Sequence, residues 1–421
     1  MRITTVALAL FALAPLGGCT GTGNVLHYQL RHEYGVHDPQ FPLTMGSLLG
    51  PALLPGNKVD TLVNGDRFFP AMLDAIRAAK RSVNLETYIY WSDTIGAEFT
   101  DALVDRARAG VKCHVLIDAL GSLKFNAKDV DRMKAAGVHF RRYNPPKWFD
   151  PGALLAVDHR THRKLLIVDG RIGFTGGAGI ADEWRGDADS PHHWRDTQFR
   201  IEGPAVAQLQ AAFADNWVQE TGQVLHGDDY FPKLAPAGDH WAQVFASSVR
   251  GGSESMLLMF LLSLTAAERD VRLAHSYFVP DATTIRALLE ARKRGVRVRV
   301  LTVGKITDLP VVRRASRAKW GELLKAGVEI HEYQPTMYHC KTLIVDGLWV
   351  STGSANMDNR SFRLNDEANL NVLDPKFAAE QERLFDADLA KSRRVTYEEW
   401  ESRPLGEKLL EGAARLLEWQ L

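Results

Sequence analysis

Two short segments of the chain repeat one pattern: a histidine, a lysine two positions later, and an aspartate five positions after the lysine. These six candidate catalytic residues are His162, Lys164 and Asp169, then His339, Lys341 and Asp346. An imidazole can act as nucleophile or as general acid and base near neutral pH, and an ammonium can hold phosphate oxygens. One such pattern has a real false-positive risk, but two copies predict a single phosphate-centred active site built from two related halves.

Each copy lies in the same predicted local structure, a strand, a tight turn and a second strand. The apolar runs at 165–168 and 342–345 end at an Asp-Gly pair, which tolerates the positive φ angles of a two-residue hairpin turn. Side chains alternate along a strand, so the histidine and lysine of each copy share one face. Asp169 and Asp346 lie at the turn and out of phase, which favours a structural role over a role in the chemistry.

The two copies differ in the segment that follows each hairpin. The second continues as Gly-Ser-Ala-Asn, in which Ser354 and Asn356 can donate hydrogen bonds to an anion. On these residues the chain resembles the phospholipase D superfamily, whose HKD motif, HxKxxxxD, is followed by Gly-Ser-x-Asn. The resemblance covers most of the chain after about residue 60, and residues 339–370 resemble bacterial cardiolipin synthases more specifically. The first copy departs from the pattern, with Gly177 at the serine position and Gly179 at the asparagine position.

The resemblance implies a mechanism without cofactor or metal, in which one histidine attacks phosphorus and the other protonates the departing alcohol. The second histidine then activates the incoming alcohol or water. We assign His162 as the nucleophile and His339 as the general acid and base, although the sequence does not distinguish this from the reverse. The residues expected to bind the phosphate are Lys164, Lys341, Ser354, Asn356 and Gly177, the last through the backbone of its turn.

An imidazole nucleophile needs an acceptor that fixes its second nitrogen. The resemblance places an orienting carboxylate late in each half. The candidates are Asp196, 34 residues after His162 (196 − 162), and Glu367, 28 residues after His339 (367 − 339). For both residues, an ordinary acid at a strand end remains the alternative.

The unit around each motif is also repeated. Residues 106–116 resemble 291–301, and 136–145 resemble 326–335, at offsets of 185 (291 − 106) and 190 (326 − 136). Helices are predicted at 68–79, 95–109, 254–268 and 282–294, and strands at 82–90, 112–118, 271–278 and 296–303. This alternation predicts an α/β fold class: two duplicated phospholipase D-like halves, each a mixed β-sheet flanked by helices, packed with one active site between them.

The predicted division of the chain begins with a lipoprotein signal peptide. It comprises that peptide (1–18), an N-terminal tether (19–60), the first half (61–220), a linker (221–240), the second half (241–400) and a C-terminal amphipathic helix (401–421). The apolar stretch before Leu-Gly-Gly-Cys19 resembles the signal and lipobox of bacterial lipoproteins, which implies acylation of Cys19 and a periplasmic, outer-membrane location. A signal without lipidation, with a coincidental cysteine, is the alternative.

The composition bears on the class of partner. Lysine plus arginine equals aspartate plus glutamate at 51 each, so no global basic field is available to gather a nucleic acid. Together with the anchor, this favours a phospholipid substrate and a membrane-bound phosphatidyl transferase similar to cardiolipin synthase. A hydrolytic phospholipase D and a secreted phosphodiesterase or nuclease are the alternatives. Because one chain carries both motifs, we expect that a monomer can work. The leucine stripe at 409–417 could rest on a membrane, but docking onto the domain is favoured.

Overall fold

The computed structural model describes residues 28–145, 159–248 and 254–420. The predicted signal peptide and Cys19 lie outside these residues. The strands of the first half are β1 (Leu54–Val63), β2 (Ser82–Thr87), β3 (Lys112–Asp118), β4 (His139–Tyr143), β5 (Arg160–Thr161), β6 (Leu165–Val168), β7 (Ile172–Gly176) and β8 (Thr197–Glu202). Those of the second half are β9 (His240–Ser247), β10 (Asp270–His275), β11 (Arg297–Thr302), β12 (Glu329–Tyr333), β13 (Lys341–Val345), β14 (Trp349–Gly353), β15 (Asn365–Leu373) and β16 (Ser392–Val395).

Helices cover the strands of both halves. In the first half and the segment before it they are α1 (Gln40–Leu49), α2 (Gly65–Ala78), α3 (Thr94–Arg108), α4 (Ala127–Ala135) and α5 (Ala205–Thr221), with a 3-10 turn at Asp182–Trp184. In the second half they are α6 (Ser255–Thr265), α7 (Ala282–Lys293), α8 (Pro310–Ala318), α9 (Trp320–Lys325), α10 (Asn359–Arg363), α11 (Pro375–Leu389), α12 (Tyr397–Glu401) and α13 (Leu405–Arg415). None of the helices within the described ranges is long and apolar enough to cross a bilayer.

The strands form one continuous mixed sheet in which the duplication is visible. The order is β16-β12-β11-β10-β13-β14-β15-β9-β1-β8-β7-β6-β2-β3-β4, with β5 pairing to β15 away from this path. Apart from the extra edge strand β16, the two halves have the same strand order. From one edge it is β4-β3-β2-β6-β7-β8-β1, and from the other it is β12-β11-β10-β13-β14-β15-β9. The halves join where β1 and β9 pair antiparallel, with Asn57 opposite His240. The predicted α/β duplication is confirmed.

Three apolar clusters hold the layers together. One packs α2 and α3 on the first half-sheet, and a second packs α6 and α7 on the second half-sheet. The third lies between the halves and contains strand residues from both, together with Phe213 of α5 and Phe385 of α11. Since burial of apolar surface is the main favourable contribution to folding, this shared cluster fixes the position of one half on the other.

The segment before the first half is more than a tether. Phe41 and Met45 of α1 are fully buried in the core of the second half, where Phe41 packs edge-to-face on Trp349 with ring centroids 5.0 Å apart. β1 begins at Leu54 and pairs with both β8 and β9. Residues 36–60 of the predicted tether therefore belong to the folded body.

The C-terminal helix docks on the domain, but not through its leucine stripe. Glu411 and Ala414 are its buried residues, and Ala414 packs on Val312 and Ala315 of α8. Leu409 and Leu416 are exposed. The expectation that an amphipathic helix turns its apolar face to the core was wrong here, because the docked face is held by ion pairs.

Candidate active site

Both repeated motifs fold as predicted into hairpins, β6–β7 and β13–β14. The connecting loops have three residues instead of the expected two, since Val168 pairs with Ile172 and Val345 with Trp349. Asp169 and the glycine that follows it have φ angles of 54° and 62°. Each histidine and lysine thus precedes or begins the first strand of its hairpin, in the extended segment that enters the sheet.

The aspartates of the two motifs hold the backbone rather than the reaction centre. The carboxylate of Asp346 accepts hydrogen bonds of 2.8 Å from the backbone N–H groups of Glu268, Arg269 and Asp270, where β10 begins. Asp169 accepts from residues 80–82 in the same way, where β2 begins. Asp169 and Asp346 were counted among the candidate catalytic residues, but their contacts are structural. Their place at the turn had favoured this role.

His162 is oriented by a carboxylate of the other half. Its Nδ1 lies 3.0 Å from both carboxylate oxygens of Glu367, which is fully buried on β15. Burial lowers the pKa of His162 to about 4, against the opposing effect of Glu367. Burial alone would raise the pKa of Glu367, but His162 and Lys164 hold it at about 2. An ionised carboxylate that accepts from Nδ1–H leaves the Nε2 lone pair of the neutral imidazole available for attack.

His339 has the matching arrangement. Its Nδ1 lies 2.7 Å from Oδ2 of the fully buried Asp196, and the same oxygen accepts from Trp184 Nε1 at 2.9 Å. The indoles of Trp184 and Trp194 contact the imidazole, with ring centroids at 5.2 Å and 5.4 Å. Burial, assisted by Lys341, lowers the pKa of His339 to about 3. Burial would raise the pKa of Asp196, but His339 and Lys341 hold it below its usual range.

Each half thus supplies the carboxylate that orients the histidine of the other half. Backbone hydrogen bonds connect the same two pairs of segments. The N–H of His162 donates to the carbonyl of Asp366 at 2.9 Å, one residue before Glu367. The N–H of His339 donates to the carbonyl of Arg195 at 2.8 Å, one residue before Asp196. Spacing along the chain identified both carboxylates, but it associated each with the histidine of its own half. The exchange brings the two motifs into one buried site.

The two lysines share this site but have different neighbours. Lys164 Nζ donates to the carbonyl of His162 at 2.6 Å and lies 5.6 Å from the ring centre of Tyr88. Lys341 Nζ donates to the carbonyl of His339 at 2.7 Å and to Ser276 Oγ at 3.0 Å. Burial lowers the pKa of both ammonium groups, that of Lys164 to about 7. The ionised Glu367 and Asp196 balance the charge of the two ammonium groups from behind the histidines, and both Nζ atoms remain able to donate to an anion.

Asn356 joins this cluster from the loop after β14. Its Oδ1 accepts from Ser276 Oγ at 2.9 Å, so Nδ2 is the atom of this amide that can donate to a phosphate oxygen. Its backbone N–H is held by Ser361 Oγ at 2.9 Å. Ser276 therefore links Lys341 to Asn356, and both can face the same anion.

Ser354 and Gly177, two of the expected phosphate ligands, instead support the orienting carboxylates. Ser354 Oγ donates to Glu367 Oε2 at 2.5 Å, and its backbone N–H is taken by the carbonyl of Ala368. The N–H of Gly177 donates to the carbonyl of Thr197 at 3.3 Å, and a β-carbon at this glycine would overlap the carboxylate of Asp196. Both residues act through the acids behind the histidines, so we correct their predicted role.

The glycine that replaces asparagine in the first half also has a steric reason. A β-carbon at Gly179 would lie 2.9 Å from that of Ile89 and 3.2 Å from the indole of Trp184. The space that the amide of Asn356 uses in the second half is filled here by the indole that donates to Asp196. The asymmetry seen in the sequence is therefore a real asymmetry of the site.

Sequence reasoning did not single out Tyr88 or Ser276 as site residues. Each is the first residue after an equivalent strand, β2 in one half and β10 in the other. Tyr88 packs edge-on against His162 with ring centroids 5.3 Å apart. Strand pairing makes the two positions equivalent, since Glu86 pairs with Leu165 and Ala274 with Thr342, and Tyr88 and Ser276 each follow two residues later. Within the described residues, no group of three histidine, cysteine, aspartate or glutamate side chains is arranged to hold a metal ion.

Comparison with known proteins agrees with this geometry. A family model described as "Cardiolipin synthase, PLD-like domain" matches residues 72–217 and 261–389. The chain belongs to the cardiolipin synthase family of phospholipase D-like enzymes. Cardiolipin synthase 2 of Bacillus anthracis is 35% identical over 359 residues, which cover 85% of this chain and 69% of the relative. Cardiolipin synthase A of Pseudomonas fluorescens is 36% identical over 350 residues, covering 82% and 71%.

A solved structure shares this fold. Phosphatidylserine synthase of Haemophilus influenzae aligns with a TM-score of 0.66 at 13% identity, covering 90% of this chain and 99% of that one. The two matched ranges of the cardiolipin synthase model contain His162, Asp196, His339 and Glu367. The protein is an enzyme of this superfamily.

Proposed function

We propose that the protein is a phosphatidyl transferase that acts on phospholipid phosphodiesters through a phosphohistidine intermediate, with phosphatidylglycerol as donor, acceptor or both. The observation that carries the proposal is the pair of exchanged contacts, His162 with Glu367 and His339 with Asp196. Two imidazoles oriented at Nδ1 present two Nε2 atoms to one anion site that contains two buried ammonium groups. This arrangement suits a double displacement at phosphorus.

In the first displacement, Nε2 of His162 attacks phosphorus and the bond between phosphorus and the leaving oxygen breaks. His339 donates the proton that the departing alkoxide takes up. In the empty site His339 is neutral, because burial and Lys341 lower its pKa. A bound phosphodiester brings a negative charge beside the imidazole and raises that pKa, so the substrate itself favours the protonated acid.

In the second displacement, the now neutral His339 removes the proton from an incoming hydroxyl. The hydroxyl oxygen attacks phosphorus, the phosphorus–nitrogen bond breaks, and His162 is restored. With phosphatidylglycerol as acceptor the product is cardiolipin, and with water it is phosphatidic acid. The acceptor alone decides between transfer and hydrolysis.

Lys164, Lys341 and Asn356 would hold the non-bridging oxygens through both displacements. Fixed donors in a buried site stabilise the charge that develops on these oxygens without having to reorganise. The hydroxyl of Ser276 hydrogen-bonds to both Lys341 and Asn356 and so fixes their positions relative to each other. Since a single chain supplies all of these groups, we propose that one copy of the protein is sufficient for turnover.

The test uses purified protein and mixed phospholipid vesicles, with products identified by mass spectrometry. The expected products are cardiolipin and the released headgroup alcohol. A substrate with a p-nitrophenyl leaving group separates the roles of the histidines, because its departure needs no proton. With this substrate His339→Ala should accumulate a phosphatidyl adduct on His162, whereas His162→Ala should form none. An adduct on His339 in His162→Ala protein would reverse the assignment, and no turnover of any phospholipid by folded protein would refute the function.

We also propose that acylation of Cys19 anchors the protein on the periplasmic side of the outer membrane. The support is the Leu-Gly-Gly-Cys segment after an apolar stretch. Because one acyl chain holds a protein only marginally, a multiply acylated terminus would give stable attachment. Metabolic labelling with a fatty acid should mark the wild type but not Cys19→Ala. Equal labelling of the two would contradict the anchor.

A further inference from the structure

The C-terminal helix α13 turns its acidic side chains toward the protein and its leucines toward solvent. The side that faces the body contains Ala414 and the buried Glu411, which accepts from Arg317 Nε at 2.8 Å and from Arg403 Nε at 2.7 Å. Just beyond the helix, Glu418 pairs with Lys319. The acids of this segment are therefore neutralised against the protein.

The opposite side of α13 is apolar and faces away from the protein. The side chains of Leu405, Leu409 and Leu416 are 74 to 78% exposed, and Trp419 is 61% exposed. At 100° per residue, positions 405, 409, 413 and 416 lie within one narrow arc, and 410 and 417 widen it. We call this surface the leucine face. It contains no acid. Lys408 and Arg415 flank it on one side, where Lys408 lies 3.9 Å from Glu401 and Arg415 lies 3.8 Å from Glu418.

The leucine face is tied to the candidate active site by one short element. Helix α10 follows the loop of Asn356, and its Ser361 holds the backbone N–H of that residue. The same helix holds the end of the chain, since Asn359 Nδ2 donates to the carbonyl of Glu418 at 2.9 Å and Arg360 Nη1 to that of Gln420 at 3.1 Å. The surface thus has a fixed position relative to the phosphate-binding amide.

We propose that the leucine face is a membrane-docking surface that sits at the polar–apolar boundary of a phospholipid bilayer and holds the loop of Asn356 close to that boundary. The inference rests on the proposed phospholipid substrate, which must be taken from a bilayer. An exposed apolar patch of this kind marks an interaction site. A helix with bulky apolar residues on one side and cationic flanks is typical of those that lie in the membrane interface. The side chain of Arg415 is 61% exposed beside this face and can exchange its contact with Glu418 for an anionic headgroup.

The test compares two triple variants in the processed chain, residues 19–421, with Cys19→Ala throughout so that an acyl anchor does not mask the effect. The docking variant carries Leu409→Ser, Leu416→Ser and Trp419→Ser. The control carries Leu123→Ser, Val224→Ser and Trp241→Ser, which are exposed elsewhere. Sedimentation with phosphatidylethanolamine–phosphatidylglycerol vesicles should show a partition coefficient reduced on the order of a hundredfold for the docking variant only.

Activity provides the second measurement. The docking variant should lose turnover on vesicles in proportion to binding but keep the parent's turnover on a short-chain phospholipid present as monomers. Retained soluble turnover also reports that the variant is folded. Equal vesicle binding by both variants would overturn the docking proposal. So would a parent dimer that the docking variant dissociates, because the occupant would then be a second copy. Absence of soluble turnover in the parent would refute the proposed function instead, leaving the vesicle-binding result to decide the docking.

Discussion

Replacing Glu367 with glutamine removes the charge behind His162 and leaves the shape of the side chain. The pKa of this carboxyl is raised by burial but falls from an ordinary 4.5 to about 2 because His162 and Lys164 interact with its ionised form. That difference corresponds to about 3 kcal/mol of favourable interaction with the anion. The imidazolium-like charge that develops on His162 as it attacks phosphorus would lose much of this stabilisation. We expect the first displacement to slow on the order of a hundredfold.

The exchange of carboxylates between the halves makes this prediction specific to one chemical step. With a p-nitrophenyl phosphatidyl substrate, release of the first product reports attack by His162, and later turnover reports acceptor activation by His339. Glu367→Gln should slow the initial burst. Asp196→Asn should leave the burst nearly intact and slow the steady state. Glu398→Gln, at an exposed glutamate of α12, is the matched control and should change neither phase.

A pH profile distinguishes orientation from general loss of structure. Glu367 raises the pKa of His162, so its removal should move the acidic limb of the burst rate to lower pH. If Asp196→Asn slowed the burst while Glu367→Gln slowed only the later phase, the reasoning from the exchanged contacts would be refuted. The reasoning would also be refuted if both variants unfolded more easily and the acidic limb of the burst rate stayed at the same pH.

Three further predictions concern other residues of the site. Asp346→Ala leaves three part-buried backbone N–H groups at the start of β10 without their acceptor and should lower the free energy of unfolding by roughly 3 kcal/mol, measured by urea denaturation. Gly177→Ala should displace the carboxylate of Asp196 and reduce kcat with little change in KM, while a mainly raised KM would contradict it. Since burial lowers the pKa of Lys164 to about 7, kcat/KM should fall as pH rises through neutrality, and Lys164→Arg should remove this limb because arginine stays charged.

The parts of the molecule that could be predicted from sequence depend on local periodicity. The hairpins follow from apolar runs that end at Asp-Gly, and strand β3 has the bounds expected, Lys112–Asp118. The duplicated α/β architecture follows from the repetition of such units. Local rules also suggested that Asp169 and Asp346 belong to turns, and both carboxylates hold a neighbouring strand.

Contacts between the halves could not be obtained in this way. That Glu367 faces His162 depends on the pairing of β15 with β5 and on the joint between β1 and β9, neither of which leaves a periodic signal. The docked face of α13 escaped prediction for a related reason. Glu411 is buried because Arg317 of α8 and Arg403 both donate to its carboxylate. Both failures involve at least one partner that is distant in sequence, such as Arg317, 94 residues before Glu411.

The asymmetry of the site matters more to its chemistry than the repetition that reveals it. Two identical halves would present two equivalent histidines, each equally ready to attack or to donate a proton. Here one imidazole packs against Tyr88, while the other lies between two indoles and beside the cluster of Lys341, Ser276 and Asn356. Gly179 makes room for Trp184 where Asn356 stands in the other half. A duplicated scaffold therefore supplies both nitrogen atoms, and the side chains in which the halves differ allow them to take different roles.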